Sequence, residues 1–554
     1  MNRLLLADAG PAGPAAAGQS THTAVLIAFL VFVCVSLLLC VMVGPDKDEV
    51  ADFYTANRTL TPLQNGLALS GDYISAATML GTTGIIALSG FNGIMLDVST
   101  ALALSTLLVL AGPLRNAGRY TLGDIFALRA PGRAPRLAAS VATLAVSIPF
   151  LVVQLSGAGA ATAMLLGLTS AGAQQICIVL IGVLMVAYTL AGGMKGTSLM
   201  QIAKVVLTTA TLAVTTLCVL GHFHWSPSEL LSAAAQGSGH PATYLRSTSQ
   251  FGVTASGPLN IAGLHLTVVL GAACMPHMIM RINATSDGAT ARRSTRYALG
   301  TVGVYSILLA VLGLGAAALV GGQAISAVNP NGQASLLLLA GTLAGGPSTT
   351  AGLTLMTAVA CTVFVTVLAV VAGITLSAAA SLAHDVHAHA VRRGHLTEAK
   401  EVRTVRWAAL LFGVVGILLA VEAQGYNVQF LSMLAVAVAA SAVLPALVCS
   451  LFWRGYNRTG LLWSVYGGAA LTIGLQLISP TVSGGPGTLF PTHDFAWSPL
   501  QSVGLVSIPA SFLLGWAGSV RGQRREETRN RADHDDRVDH DAVELRVLTG
   551  ADAD

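Results

Sequence analysis

The chain has 554 residues, 54% of them hydrophobic and only 10% charged, with a formal net charge of +4 and a mean hydropathy of +0.71. An ordinary soluble domain carries about 25% charged residues, so the composition excludes a water-soluble fold and leaves an all-α polytopic protein embedded in a lipid bilayer. The seven cysteines all fall inside apolar runs, with no CxxC pair or metal-ligand spacing, and no Walker A loop or GxSxG elbow occurs. Neither ATP hydrolysis nor covalent catalysis is expected; the chain does not read as an enzyme, and no cofactor or nucleic-acid partner is expected.

Residues Met1 to Ser20 are rich in Ala, Gly and Pro and read as a flexible lead (1–20) before a membrane domain at 21–520. Ala24 to Gly44 is long enough to span and reads as a membrane helix rather than a cleaved segment. The next run, Leu63 to Leu88, is the informative one. A plain membrane helix is Leu, Val and Ala throughout, whereas this one carries Gly66, Ser70, Gly71, Asp72, Tyr73, Ser75 and Thr78 at its middle. A carboxylate at mid-bilayer is costly and marks a functional candidate. Glycine weakens a helix and lets ligands approach its backbone. Gly71 and Asp72 therefore predict a helix that unwinds mid-membrane and offers carbonyls, hydroxyls and a charge, a geometry tolerated only beside a protein-enclosed or watery cavity. The alternative is a small-residue packing seam, which Asp72 serves badly.

Further spans follow at about 93–112, 137–168, 174–192, 197–221, 259–280, 297–321, 350–383, 404–422, 427–452, 460–478 and 499–519, about thirteen in all. Asp97 is a second intramembrane acid, in the span at 93–112. The span at 259–280, LNIAGLHLTVVLGAACMPHMIM, is interrupted like the first: Gly271 is expected to break it, Pro276 removes a backbone donor, and His277 and Arg281 follow. The tail, 521–554, is dense in both charge signs and reads as a disordered cytoplasmic extension. With the N terminus outside and the C terminus cytoplasmic, about 26 of the 29 Lys and Arg residues lie on the inner side of a plasma membrane. Five spans run over about 63–221 and five more over about 259–452, each set opening with an interrupted helix. Interrupted spans at matching positions of two halves point to an inverted-repeat transporter with its site at the midplane.

Over about residues 52–458 the chain resembles the sodium:solute symporters, and within them the acetate permease group of small-monocarboxylate carriers. The resemblance rests on DFYTANRTLTPLQNGLALSGDYISAATMLG, on PLRNAGRYTLGDIFALR with Gly118, Tyr120, Thr121 and Asp124, and on LAGGMKGTSLMQIAKVVL with Gly192, Gly193, Gln201 and Lys204. LGAACMPHMIMR, with Pro276, His277 and Arg281, and AVVAGITLSAAASLAHDV complete it. It implies a leucine-transporter-like five-plus-five inverted repeat, with one helix before and two after, and a cation site between the first and eighth core helices. Matched onto this chain, the first-helix carbonyls of that site belong to Gly71 and Ile74. The positions where the family usually places two adjacent hydroxyls read Ala369 and Val370, while Thr366, one turn earlier, offers an oxygen instead. Sodium needs several hard oxygen ligands, so this departure leaves proton coupling open, with Asp72 and Asp97 as the groups to carry the proton.

A carboxylate substrate is favoured by exposed N–H groups and by the positive ends of half-helices. The breaks near Gly71 and Gly271 supply such ends; Tyr73, Ser75 and Thr78 donate hydrogen bonds, and Gln154 reaches in from the next bundle helix. Asp72 and Asp97 are grouped with this substrate set. Lys204 is expected to snorkel from the cytoplasmic end of its span. Gly271, Pro276 and His277 form a structural gate in which His277 bonds a carbonyl that Pro276 frees. The expectation is a secondary symporter taking up acetate or a similar short monocarboxylate with Na+ or H+ by alternating access. The alternatives are a symporter for another small solute such as an amino acid or pantothenate, and a transporter-fold membrane sensor; the short tail disfavours the sensor. A channel is disfavoured because no filter motif appears.

Overall fold

Apolar runs that cannot leave backbone amides unpaired in lipid fold as helices, and that is what the computed structural model shows. It describes residues 49–165, 170–246, 257–346, 349–424, 429–485, 488–490, 492–529 and 539–550, with isolated positions between 27 and 44. The lead at 1–20, most of the expected span at 24–44 and the tail residues 530–538 and 551–554 lie outside the described residues. Among the described residues nine helices are long and apolar enough to cross a membrane.

The short helix α1 (Val50–Thr55) precedes the interrupted span, which is split into α2 (Pro62–Tyr73) and α3 (Ala76–Ser89). Thr61 starts α2 with a reciprocal cap to Gln64, and Pro62 occupies the first turn, where its missing N–H costs nothing. The chain continues through α4 (Phe91–Ala117), α5 (Leu122–Phe126) and α6 (Arg133–Leu165). The runs expected at 174–192 and 197–221 are the two arms of α7 (Ala171–His222), which meet at a kink. The kink lies at Gly193 (φ 50, ψ −152), a backbone conformation that costs glycine little and any side-chain-bearing residue much. An outer helix, α8 (Pro227–Gly237), leads to the second interrupted span, α9 (Gly257–Gly271) and α10 (Pro276–Asn283).

Gly271 was expected to break that span, and it is the last residue of α9; the chain tightens into a 3-10 turn over Ala272–Cys274 and becomes extended at Met275 (φ −65, ψ 135), one residue before Pro276. A proline restricts the residue before it to extended backbone, so Pro276 decides the position of that extended residue. Gly271 also serves packing: a Cβ there would overlap the Val436 carbonyl.

The second half continues with α11 (Gly288–Leu319), the short outer helices α12 (Gly322–Val328) and α13 (Ser335–Thr342), and the long α14 (Thr350–Ala380). Beyond it a wider helical turn extends over Ser381–Val391. Then come α15 (Glu398–Glu422), α16 (Phe430–Phe452), α17 (Arg458–Leu477) and α18 (Gly504–Arg529). The most apolar stretch of Thr350–Val391 is 94% buried and that of α15 only 33%, so α14 is the central post and α15 faces outward. Helix α14 packs along α7, α6 and α15, and α11 packs against α2, α3 and α4.

Part of the tail departs from the expected disorder. Residues His540–Thr549 form α19, capped by Asp539, with Val547 buried. Asn116 Nδ2 donates to the Val547 carbonyl at 3.0 Å, and the Arg546 guanidinium donates to the Asn116 and Ala117 carbonyls at 3.2 and 3.3 Å. Arg454 pairs with Asp541 and Glu544. The mixed charges of this segment find complementary partners on the bundle.

Candidate functional site

The first break lies at Ile74 (φ −76, ψ 92) and Ser75 (φ −102, ψ 165). A helix end leaves its last carbonyls and the next helix's first amides without intrahelical partners, and lipid supplies none. The amides are met locally. Ser75 Oγ accepts from the Thr78 N–H at 3.0 Å, and Thr78 Oγ1 accepts from the Ser75 N–H at 2.8 Å, a reciprocal cap on α3. Two of the three hydroxyls of the expected substrate set, those of Ser75 and Thr78, are thus engaged in holding the break. Ser75→Ala is expected to cost about 1 kcal/mol of stability, read by chemical denaturation in detergent; an unchanged midpoint would show that the cap contributes nothing.

The carbonyls are met by a lysine. Lys204 was expected to snorkel, but it is fully buried, and its Nζ donates to the Gly71 carbonyl and, at 2.8 Å, to the Ile74 carbonyl. It stands eleven residues past the Gly193 bend, about 16 Å along α7 at 1.5 Å per residue. That is about half of a 30 Å hydrocarbon core, too deep for the side chain to reach the interface.

Asp72 sits beside it. Its Oδ1 accepts from Gln201 Nε2 at 2.5 Å, and its Oδ2 accepts from Arg281 Nε at 2.8 Å and pairs with the other arm of the guanidinium, also at 2.8 Å. Arg281 further donates to Ser198 Oγ at 2.5 Å and to Met194 Sδ at 3.2 Å. Asp72 and Arg281 are each nearly fully buried. The two breaks are thereby tied together, α2 by its aspartate and α10 by its arginine. Asp72, Lys204 and Arg281 bring two basic side chains and one carboxylate into this buried region.

Helix α14 closes the third side. The Ala369 carbonyl accepts from Gln201 Nε2 at 2.9 Å, Thr366 Oγ1 lies 3.4 Å from Thr208 Oγ1 and donates to the Thr362 carbonyl at 2.6 Å, and Gly373 leaves room for Asp72. Val370 is buried beside them. The expected cation set of Gly71, Ile74, Thr366 and Ala369 is therefore brought to one face of α7, the stripe Ser198, Gln201, Lys204 and Thr208.

Other polar atoms here have no hydrogen-bond partner among the described residues: the Tyr73 hydroxyl, both ends of the Gln154 amide and His277 Nε2, all buried. His277 stacks on Phe150 at a centroid distance of 6.0 Å, and Phe150 is one turn before Gln154 on α6. Asp97 is placed elsewhere: it is buried between α4 and α11, and its Oδ1 accepts from Ser306 at 3.2 Å.

A second polar cluster lies at the end of the bundle that holds α1 and α5. Asp124, His384 and Asp385 offer ligand atoms within 4.8 Å of one another, but those atoms are engaged. Arg136 donates to Asp124 at 3.0 Å and to Asp385 at 3.3 Å, Thr121 and Ser381 donate to Asp385, and His384 Nδ1 lies 2.7 Å from Glu401. Burial alone would raise the Asp124 carboxyl, but the neighbouring His384 and Arg136 outweigh it and hold Asp124 well below the usual carboxylate range. The arrangement is a latch of charged hydrogen bonds between α5, α6, the end of α14 and α15.

Lys204, Gln201, Ser198 and Arg281 are the site residues that sequence reasoning passed over. A signal was present: positions 198, 201, 204 and 208 recur at helical spacing and place four polar groups on one face of an apolar helix.

A model of the sodium:solute symporter family matches residues 53–468. The chain is 36% identical over 535 residues, 94% of each protein, to a protein of Corynebacterium glutamicum named monocarboxylic acid transporter. It is 39% identical over 493 residues to the uncharacterized symporter YwcA of Bacillus subtilis, covering 89% of this chain and 93% of that one. Among solved structures, a Na+-coupled sialic acid symporter matches with a TM-score of 0.68 at 13% identity, over 90% of this chain and 98% of that one. Mhp1, a nucleobase-cation-symport-1 family transporter, matches with a TM-score of 0.52 at 15% identity, over 89% and 97%. At such identities the structures speak for the fold alone, and the fold is the leucine-transporter-like five-plus-five repeat, each half opening with a broken helix.

Proposed function

This chain belongs to the sodium:solute symporter family, and from that premise we propose that it takes up acetate or a similar short monocarboxylate by cation-coupled alternating access across the plasma membrane, N terminus outside. The observation that carries the substrate class is the charge balance of the buried site. Arg281 pairs with the carboxylate of Asp72, and Lys204 is bonded to the carbonyls of Gly71 and Ile74 on either side of it. A buried excess of one positive charge is costly unless matched, and a monovalent carboxylate matches it. The unpartnered Tyr73 hydroxyl, Gln154 amide and His277 ring nitrogen supply donors to orient such an anion. The name of the Corynebacterium glutamicum relative supports the same class. An amino acid is the weaker candidate, because its ammonium would join two cations already in place.

The test is uptake of labelled acetate into proteoliposomes, with unlabelled pyruvate, propionate and proline as competitors. Acetate uptake inhibited by pyruvate and propionate but not by proline is the expected result; uptake of proline and none of acetate would overturn the reading. Gln154→Leu is expected to raise the KM for acetate about tenfold or more, since a hydrogen bond to a charged acceptor contributes about 1.5–3 kcal/mol.

A further inference from the structure

We propose that the Lys204 ammonium is itself the cation of the site between the first broken helix and α14, standing where the family resemblance places a coupling sodium, so that uptake requires no sodium there. The inference rests on the symporter reading and concerns how its cation site is filled. The carbonyls of Gly71 and Ile74, which would be two of a sodium's ligands, both accept from Lys204 Nζ. They are the terminal carbonyls of α2, the negative end of a helix dipole, and this attracts an ammonium as it would a metal ion.

The remaining oxygens do not make up a sodium shell, which for a hard cation needs several oxygen ligands at once. Ala369 and Val370 carry no side-chain oxygen, and the Ala369 carbonyl accepts from Gln201. Thr366 is turned toward the Thr362 carbonyl. Both Asp72 oxygens are taken, one by Gln201 and one by Arg281. A sodium ion added about 4 Å from the ammonium would also meet a repulsion of about 4 kcal/mol at an effective dielectric of 20. Gln201 Oε1, beside Gly71, has no hydrogen-bond partner among the described residues, and one such oxygen does not complete a shell. The residues present do not fit sodium at this position. They fit a tethered ammonium.

The charged groups around Lys204 are Asp72 on α2 and Arg281 on α10. Neither offers Lys204 a second place to go: Asp72 is held by Arg281 and Gln201, and Arg281 is basic. The lysine is therefore a positioning residue of the transport site, keeping the break of α2 charged and closed to a free ion.

The test has two arms, one of them independent of the substrate. In detergent, thermal unfolding is compared in NaCl and in choline chloride at one pH and ionic strength. Wild type is expected to show no sodium-specific shift, and Lys204→Thr, which frees both carbonyls and adds a hydroxyl, is expected to show a rise in sodium only. In proteoliposomes, wild-type acetate uptake is expected to run equally in sodium-free medium, whereas Lys204→Thr loses about tenfold or more, as for removal of a charged hydrogen bond, and regains part of it with sodium. A lysine serving only as a brace would lose activity without that sodium-specific recovery. Sodium-specific stabilisation of wild type, or wild-type uptake that saturates with sodium, overturns the proposal; so does Lys204→Thr that folds, transports and ignores sodium. If Lys204→Thr does not fold, the wild-type comparison decides. If no acetate enters in any medium, the substrate reading fails and the thermal comparison still decides the role of Lys204.

Discussion

Arg281→Met is expected to abolish measurable uptake and to lower the stability of the purified protein by about 3–5 kcal/mol, the range for breaking a buried ion pair from one side. The magnitude follows from what the guanidinium holds. Two of its nitrogens meet Asp72 Oδ2 at 2.8 Å and a third donates to Ser198 and Met194, all in buried surroundings. Methionine fills much of the volume but leaves the Asp72 carboxylate with Gln201 as its remaining direct donor. Asp72→Asn strands the opposite charge and is expected to act in the same direction. The double replacement, Asp72→Asn with Arg281→Met, removes both charges and is expected to recover most of the stability without recovering transport, because the link between the two broken helices is gone. Denaturation midpoints and uptake, measured for the three variants side by side, check this. Equal midpoints for wild type and Arg281→Met would show that the pair contributes nothing to the fold.

Gly71→Ala is expected to reduce uptake about a hundredfold while leaving a folded protein. A Cβ on Gly71 would stand 2.6 Å from Gln201 Oε1, 2.7 Å from Gln201 Cβ and 3.1 Å from the Gln201 carbonyl, so α2 must separate from α7. Overpacking of this kind costs about 1–3 kcal/mol, which a domain of this size survives. Transport is more sensitive, since the shift falls on the residue whose side chain bridges Asp72 and Ala369 and on the carbonyl that receives Lys204. Displacement of a site by about 1 Å costs about a hundredfold. Uptake rates at saturating acetate, compared with Gly66→Ala, check the assignment. Gly66 is also tightly packed, against Ser294 and Tyr297 of α11, and a Gly66→Ala variant with an equal loss would show that crowding of α2 anywhere, rather than at the site, is responsible.

The position of the first break was legible because Gly71, Asp72 and Ser75 violate what lipid asks of a spanning helix, and a violation at mid-run has few explanations. The second was legible from Gly271, where α9 ends, and from Pro276, which holds Met275 extended; that Gly271 also admits the Val436 carbonyl was not, since a glycine that loosens a helix and one that admits a neighbouring backbone are identical in sequence. The pairing of Asp72 with Arg281 was not legible. It joins residues 209 positions apart, and nothing local to either specifies the other. Lys204 was misread for a related reason. A long flexible stem reaches the interface or the interior according to depth, and the depth of Lys204 is set by the kink at Gly193, eleven residues before it, which divides the two expected spans. The tail helix was hidden by composition, because mixed charge reads as disorder unless its partners on a distant surface are known.

The clamp at the end of α10 has a mechanical consequence. Arg115, from the end of α4, donates to the Thr285 carbonyl at 2.5 Å and the Ser286 carbonyl at 2.7 Å, and the next residue, Asn116, carries α19. Asn283 donates to the Tyr120 carbonyl at 3.3 Å. The half-helix bearing Arg281 is thus riveted at its far end to α4, to the turn before α5 and, through Asn116, to the tail, while its near end is extended backbone at Met275. Any pivot of α10 at Met275 would have to shear these rivets or swing α10, the foot of α4 and α19 as one lever, with the tail helix as the counterweight on its far end.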